Sequence, residues 1–132
     1  MTSKALSLCL AAAGVLAAAS AGAETPAGLL SAYAAKAGGP PSASRGQQFF
    51  NARQGREWSC ATCHGAAATQ PGRHATTGKA IEPLAPAANP ARLTDEAKVE
   101  KWFRRNCNDV LGRECSPAEK ADVLAWLIAQ RP

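Results

Sequence analysis

Residues 60–65 read CATCHG: two thiols three positions apart, with an imidazole directly after the second. On one helical turn Cys60 and Cys63 project to the same side and can add to adjacent vinyl groups of a macrocycle, while His64 swings a ring nitrogen beneath a metal at its centre. That is the attachment signature of a c-type haem. A thioredoxin-like dithiol needs a βαβ setting for which the chain gives no pattern, and a zinc site needs ligands that only a distant cysteine pair offers. The histidine that follows immediately, together with the export signal described below, favours one covalent haem c over these uses and over a plain disulfide.

His64 accounts for one axial position, and its other ring N–H is expected to donate to an acceptor such as a backbone carbonyl near Pro71. The opposite face of the iron is the open question. Methionine is the usual donor in a small electron carrier, but the one methionine here is Met1. His74 lies ten residues past His64, a separation that favours the same side or the haem rim. Lys79 would have to lose its proton, which costs free energy at neutral pH. Asn89 precedes Pro90 and reads as a turn residue. Asn106 ends the segment KVEKWFRRN and directly precedes Cys107. Residue chemistry alone leaves Asn106, Asn108, a water or an empty position open.

The elements that must hold this site begin after an export signal. Lys4, an apolar alanine-rich run from Ala5 to Ala19 and the sequence Ala21-Gly22-Ala23 form a secretory signal with an A-x-A cleavage site over residues 1–23. The run is shorter than the ~20 residues of a membrane span, and no later segment supplies one. Residues 24–132 are thus expected to form one exported, periplasmic domain without a membrane span. Cleavage discards Met1 and Cys9 and leaves four cysteines, Cys60, Cys63, Cys107 and Cys115. In an oxidising compartment Cys107 and Cys115 most simply form a disulfide. Without Lys4, 14 of the 15 basic side chains remain against 10 acidic ones, a net charge of +4, which haem propionates would lower. This surplus suits an acidic protein partner, and the dense basic blocks of a nucleic-acid binder are missing.

A domain of this length buries a limited core, so a macrocycle and a disulfide would contribute to its stability. GLLSAYAAKAG (28–38) predicts a short helix ended by Gly38-Gly39-Pro40-Pro41, and SASRGQQFFNARQG (42–55) predicts a second. There Gly46 and Phe50 share a face, which suits close packing against the C-terminal helix. Thr94 is the expected cap of DEAKVEKWFRRN, in which Val99, Trp102 and Phe103 share an inward face. Lys98, Lys101 and Arg105 lie opposite and read first as a solvated surface, second as a docking patch. Ser116-Pro117-Ala118-Glu119 is a capping box that starts a helix running to about Gln130, with Val123, Leu124, Trp126, Leu127 and Ile128 as its apolar stripe. Residues 65–93 show no periodicity, a length of loop that is usually functional. No strand pattern appears, and the fold class is all-α.

The stretch RHATTGKAIEPLAPAANPARLTDEAKVEKWFRRNCNDVLGREC (73–115), with CATCHG and the spaced pair Cys107 and Cys115, resembles the sphaeroides haem protein family of high-spin cytochromes c. The likeness covers most of the chain after the signal. It implies a class I cytochrome c-like fold and an asparagine sixth ligand at the residue just before the first distal cysteine, a position held by histidine in the related cytochrome c″. Here that residue is Asn106, with Asn108 as the alternative register. A neutral amide oxygen is a hard, weak donor that suits ferric better than ferrous iron. Reduction is therefore expected to release it and open the haem to oxygen, nitric oxide or carbon monoxide. The potential is expected below that of methionine-ligated carriers. The resemblance further implies a dihaem cytochrome c and a membrane cytochrome b as redox partners, with oxygen, peroxide or a nitrogen oxide as acceptor. Two other readings compete: a simple electron shuttle, and a small haem reductase or peroxidase, for which Arg104 and Arg105 lie near enough in the chain.

Overall fold

The computed structural model describes residues 24–132, so the signal expected over 1–23 lies outside the described residues. Five helices carry the described chain: α1 (Pro26–Ala37), α2 (Ala43–Asn51), α3 (Cys60–His64), α4 (Glu96–Leu111) and α5 (Pro117–Ala129). Two strands of two residues each, β1 (Gly72–Arg73) and β2 (Ala80–Ile81), pair antiparallel inside the long loop. Among the described residues no helix is long and apolar enough to cross a membrane.

Capping sets where the outer helices begin. Thr25 Oγ1 accepts the Gly28 N–H at 3.0 Å with Pro26 at the first position, and α1 stops at Gly38 in the left-handed region, φ 70°. Ser42 starts α2 by accepting the Arg45 N–H. Ser116 and Glu119 close the expected reciprocal box at α5.

The core forms around α5. Val123, Leu124, Trp126 and Leu127 are buried against Leu29 and Tyr33 of α1 and Phe50 of α2. The α2–α5 crossing is close because Gly46 has no side chain: a Cβ there would lie 2.0 Å from the Asp122 carbonyl oxygen. Asp122 also clamps the crossing, its carboxylate accepting the Ser42 N–H at 2.6 Å and two Arg45 guanidinium bonds at 2.7 and 2.8 Å. The long loop is tied down through Ala68, whose carbonyl accepts the Leu84 and Ala85 N–H groups. Arg92 donates to the Pro83 and Glu82 carbonyls in the same region.

α4 stands apart from this packed set and is fixed through side chains. Tyr33 OH donates to Glu100 at 2.7 Å, Lys120 Nζ donates to the other Glu100 oxygen at 2.8 Å, and Lys36 reaches Glu96 at 2.6 Å. The Tyr33 ring meets Phe103 edge-on, with centroids 6.1 Å apart. At the far end Cys107 and Cys115 are joined in a buried disulfide.

Four expectations need correction. The cap of α4 is Asp95, which accepts the Lys98 N–H, while Thr94 turns back and donates to the Ala91 carbonyl. The helix does not end at Asn106 but runs through Cys107 to Leu111, because its left-handed stop is Gly112, φ 73°. A small hairpin exists where no strand was expected, too short to leave a pattern in sequence. Trp102 is exposed rather than inward, since the helix turns Val99 and Phe103 to the interior and leaves the indole on the border of the outer face.

Two outcomes follow. Gly46→Val should drive the Asp122 backbone away from α2 and cost about 1–3 kcal/mol, the range for overpacking, read as a lower midpoint in thermal unfolding. Asp122 and Glu100 are both partly desolvated, which raises their pKa. Hydrogen bonds, from Arg45 and Ser42 to Asp122 and from Lys120 and Tyr33 to Glu100, outweigh this and hold both below the ordinary carboxylate range. The folded state thus binds fewer protons there than the unfolded chain. Their stabilisation is present above the usual carboxylate pKa and is lost as pH falls through the lower folded values. Unfolding midpoints should drop on acidification below about pH 4, with a shallower slope in Asp122→Asn.

Candidate functional site

The single turn α3 is short for a helix and depends on its ends. Ser59 Oγ accepts the Thr62 N–H at 3.2 Å and Thr62 Oγ1 accepts the Ser59 N–H at 2.9 Å, a reciprocal cap of a turn whose side chains all serve the site. Gly65, φ 73°, ends it with its N–H on the Ala61 carbonyl. The backbone at Gly72 presses on the back of this turn, since a Cβ there would meet the Cys63 carbonyl oxygen at 2.1 Å. These contacts leave Cys60 and Cys63 half-buried on one turn, neither of them in a disulfide. Burial pushes the Cys60 thiol up to about 11.

His64 follows directly, with its ring 6.1 Å from that of Phe50. Burial, with a smaller push from the Arg92 charge, lowers its pKa to about 4, so the imidazole is neutral at physiological pH. Nδ1 is buried without a hydrogen-bond partner. The expected carbonyl near Pro71 is therefore not in place for it: the Gly72 segment covers the main chain of Cys63 and His64 instead. A neutral imidazole with an orphaned ring nitrogen, beside two unpaired thiols on the same turn, fits covalent haem attachment. No group of three or more His, Cys, Asp or Glu gathers to hold a metal ion among the described residues.

The remaining candidates separate by position. Asn106 is half-buried on α4, one residue before the buried Cys107, and its carboxamide finds no hydrogen-bond partner among the described residues. Asn108 is exposed, its Nδ2 donating to the Arg104 carbonyl at 2.8 Å. Asn89 is a turn residue as expected, its Oδ1 accepting the Ala91 N–H at 3.3 Å. His74 sits in the turn between β1 and β2, where Nδ1 accepts the Thr77 N–H at 3.2 Å. This hairpin lies on the side of the attachment turn, since the Ala75 N–H reaches Cys63 Sγ at 3.4 Å. Lys79 is exposed. Arg104 and Arg105 are exposed as well, Arg104 extending toward Glu114 at 3.7 Å.

Several contributors went unnoticed in sequence. Ser59 and Thr62 have capping-box spacing and were legible. Phe50 comes to His64 by tertiary packing and Arg92 lies near enough for its charge to act on the ring, and neither had a local signal. Arg56 lies against Gly112, whose built Cβ would be 2.9 Å from its guanidinium. This latches the segment before α3 to the end of α4. An open cleft of about 340 Å³ lined by Arg56, Glu57, Trp58 and Asp109 marks the same junction.

Replacing both Cys60 and Cys63 with Ala should abolish the haem stain that survives denaturing electrophoresis. A single replacement should retain it through the remaining thioether.

A family model described as a domain of unknown function, DUF1924, matches residues 36–127. The cytochrome c-type protein SHP of Cereibacter sphaeroides is 54% identical over 114 residues, 83% of this chain and 88% of that protein. Cytochrome c″ of Methylophilus methylotrophus is 45% identical over 94 residues, 68% of this chain and 65% of that protein. Among solved structures, oxidised SHP, an oxygen-binding cytochrome c, superposes with a TM-score of 0.77 at 53% identity, covering 83% of this chain and all of that one. Oxidised cytochrome c″ superposes with a TM-score of 0.71 at 39% identity, covering 81% of this chain and 95% of its own. The all-α arrangement is that of these cytochromes. By sequence identity and by superposition over most of its length, the chain belongs to the sphaeroides haem protein family of c-type cytochromes, and Cys60 and Cys63 hold its covalent haem c.

Proposed function

We propose that residues 24–132 are an exported, periplasmic monohaem cytochrome that accepts electrons and, once reduced, binds a small diatomic molecule. In this reading His64 is the permanent axial ligand and Asn106 the one that leaves. The haem supplies a one-electron couple and, when ferrous, a coordination position for oxygen, nitric oxide or carbon monoxide. The chain's own residues decide when that position is free.

The observation that carries the reading is the contrast between two asparagines on one helix. Asn108 is exposed with its amide bonded to its own helix, whereas Asn106 is half-buried with its carboxamide unengaged among the described residues. A carboxamide without a partner keeps both lone pairs of its oxygen available for donation to iron. The segment 24–132 contains no methionine to compete for the position. An amide oxygen favours ferric iron, so Asn106 stabilises the oxidised form and loosens on reduction. His64, kept neutral by burial, holds the other side in both states. The oxygen binding stated for the related SHP accords with this assignment. Redox proteins such as a dihaem cytochrome c or a membrane cytochrome b are the proposed electron donors.

Asn106→Ala should alter the ferric absorption spectrum while the haem stays attached, and should raise the reduction potential because a ferric-favouring ligand is gone. Asn108→Ala should leave both unchanged, and the reduced wild-type protein should bind carbon monoxide. A ferric spectrum indifferent to Asn106→Ala, or a reduced form inert to carbon monoxide, would overturn the reading.

A further inference from the structure

The outer face of α4 carries a feature that a solvated helix surface does not explain. Lys98, Lys101, Trp102 and Arg105 stand at i, i+3, i+4 and i+7 and are all exposed. Trp102 is the exposed large hydrophobic side chain of the described residues, at 42%. The Arg105 guanidinium lies over its ring, 5.7 Å from the centroid. Lys98, Lys101 and Arg105 enter no ion pair among the described residues, whereas Arg104, one position away, extends toward Glu114. Hydration accounts for two lysines. It does not account for an indole held at the surface under an unneutralised cation.

Tryptophan and arginine are the side chains in which interface binding energy concentrates, and surrounding lysines steer an oppositely charged partner. We infer that this face docks an acidic patch on an electron-donating protein, with Trp102 and Arg105 as the anchors. The patch spans two helical turns and has a single apolar side chain, too little for insertion into a lipid surface. Three cations without flanking basic blocks also make a poor track for a polynucleotide. The location adds to the argument, because Trp102 stands one turn before Asn106 on the same helix. A donor seated here would deliver its electron through the wall that bears the labile ligand. The inference rests on the reading of the protein as an electron-accepting cytochrome.

The test uses the mature haem-loaded protein and reduced flavodoxin as an acidic one-electron donor. One electron passes from the flavin hydroquinone, leaving a semiquinone, to the ferric haem, which becomes ferrous. Stopped-flow rate constants are measured over a series of ionic strengths. The triple variant K98E/K101E/R105E should react about tenfold more slowly at low salt, and the difference should fade as salt screens the charges. Trp102→Ala should slow the reaction at low and high salt alike. A control with the same net charge, R53E/K79E/R131E at exposed positions elsewhere, should lose much less. Equal slowing of the two triple variants, or none in the first, overturns the inference. Binding to phosphatidylglycerol vesicles through this face, with an unaltered flavodoxin rate, overturns it in favour of a membrane role. Ferric spectra and carbon monoxide binding of each variant, measured alongside, report on the haem site independently, so failure there is told apart from failure of docking.

Discussion

A missing side chain governs the architecture. With only hydrogen at Gly46, the backbone of α2 settles against the backbone of α5. That contact fixes Phe50 one turn later, where its ring meets Trp126 at 4.7 Å on one side and His64 at 6.1 Å on the other. The attachment turn α3 is too short to persist alone, since helix nucleation costs more than a single turn returns. It borrows its rigidity from this aromatic stack, from the Ser59–Thr62 cap and from the Gly72 backbone behind it. The placement of the His64 ring thus descends from one glycine.

The opposite wall is held on different terms. Its N-terminal half is fixed by the Glu100 carboxylate, which takes hydrogen bonds from Tyr33 and Lys120, and its C-terminal end by the Cys107–Cys115 cross-link. A partly buried ion pair contributes little net stability once desolvation is counted, but it is strongly specific about position. Phe103 packing on Tyr33 contributes the apolar share. The wall is therefore positioned by these specific contacts rather than by the close backbone packing that joins α2 to α5.

Much of this was legible from residue types. The attachment motif, the capping box of α5, the Gly46–Phe50 face and the disulfide pair all rest on local spacing, and local spacing survives folding. The misreadings share a cause in tertiary context. Trp102 fell within the inward arc by periodicity, yet Val99 and Phe103 already fill the available interior. The segment KVEKWFRRN suggests an end at Asn106, while α4 runs on to a left-handed stop at Gly112, six residues later. Arg92 beside His64 comes from a loop with no periodicity, and nothing in its neighbours announces where it lands.

The way α4 is anchored leaves one position unusually free. Glu96, Glu100, Phe103 and Cys107 all take part in fastening it, and the carboxamide at 106 takes no part. On the proposed ligation the helix works as a socket indifferent to what it presents: a change of one codon at that place would exchange the donor offered while the scaffold is inherited intact. Under that proposal a change of ligand needs no remodelling of the fold, only drift at a single unencumbered site.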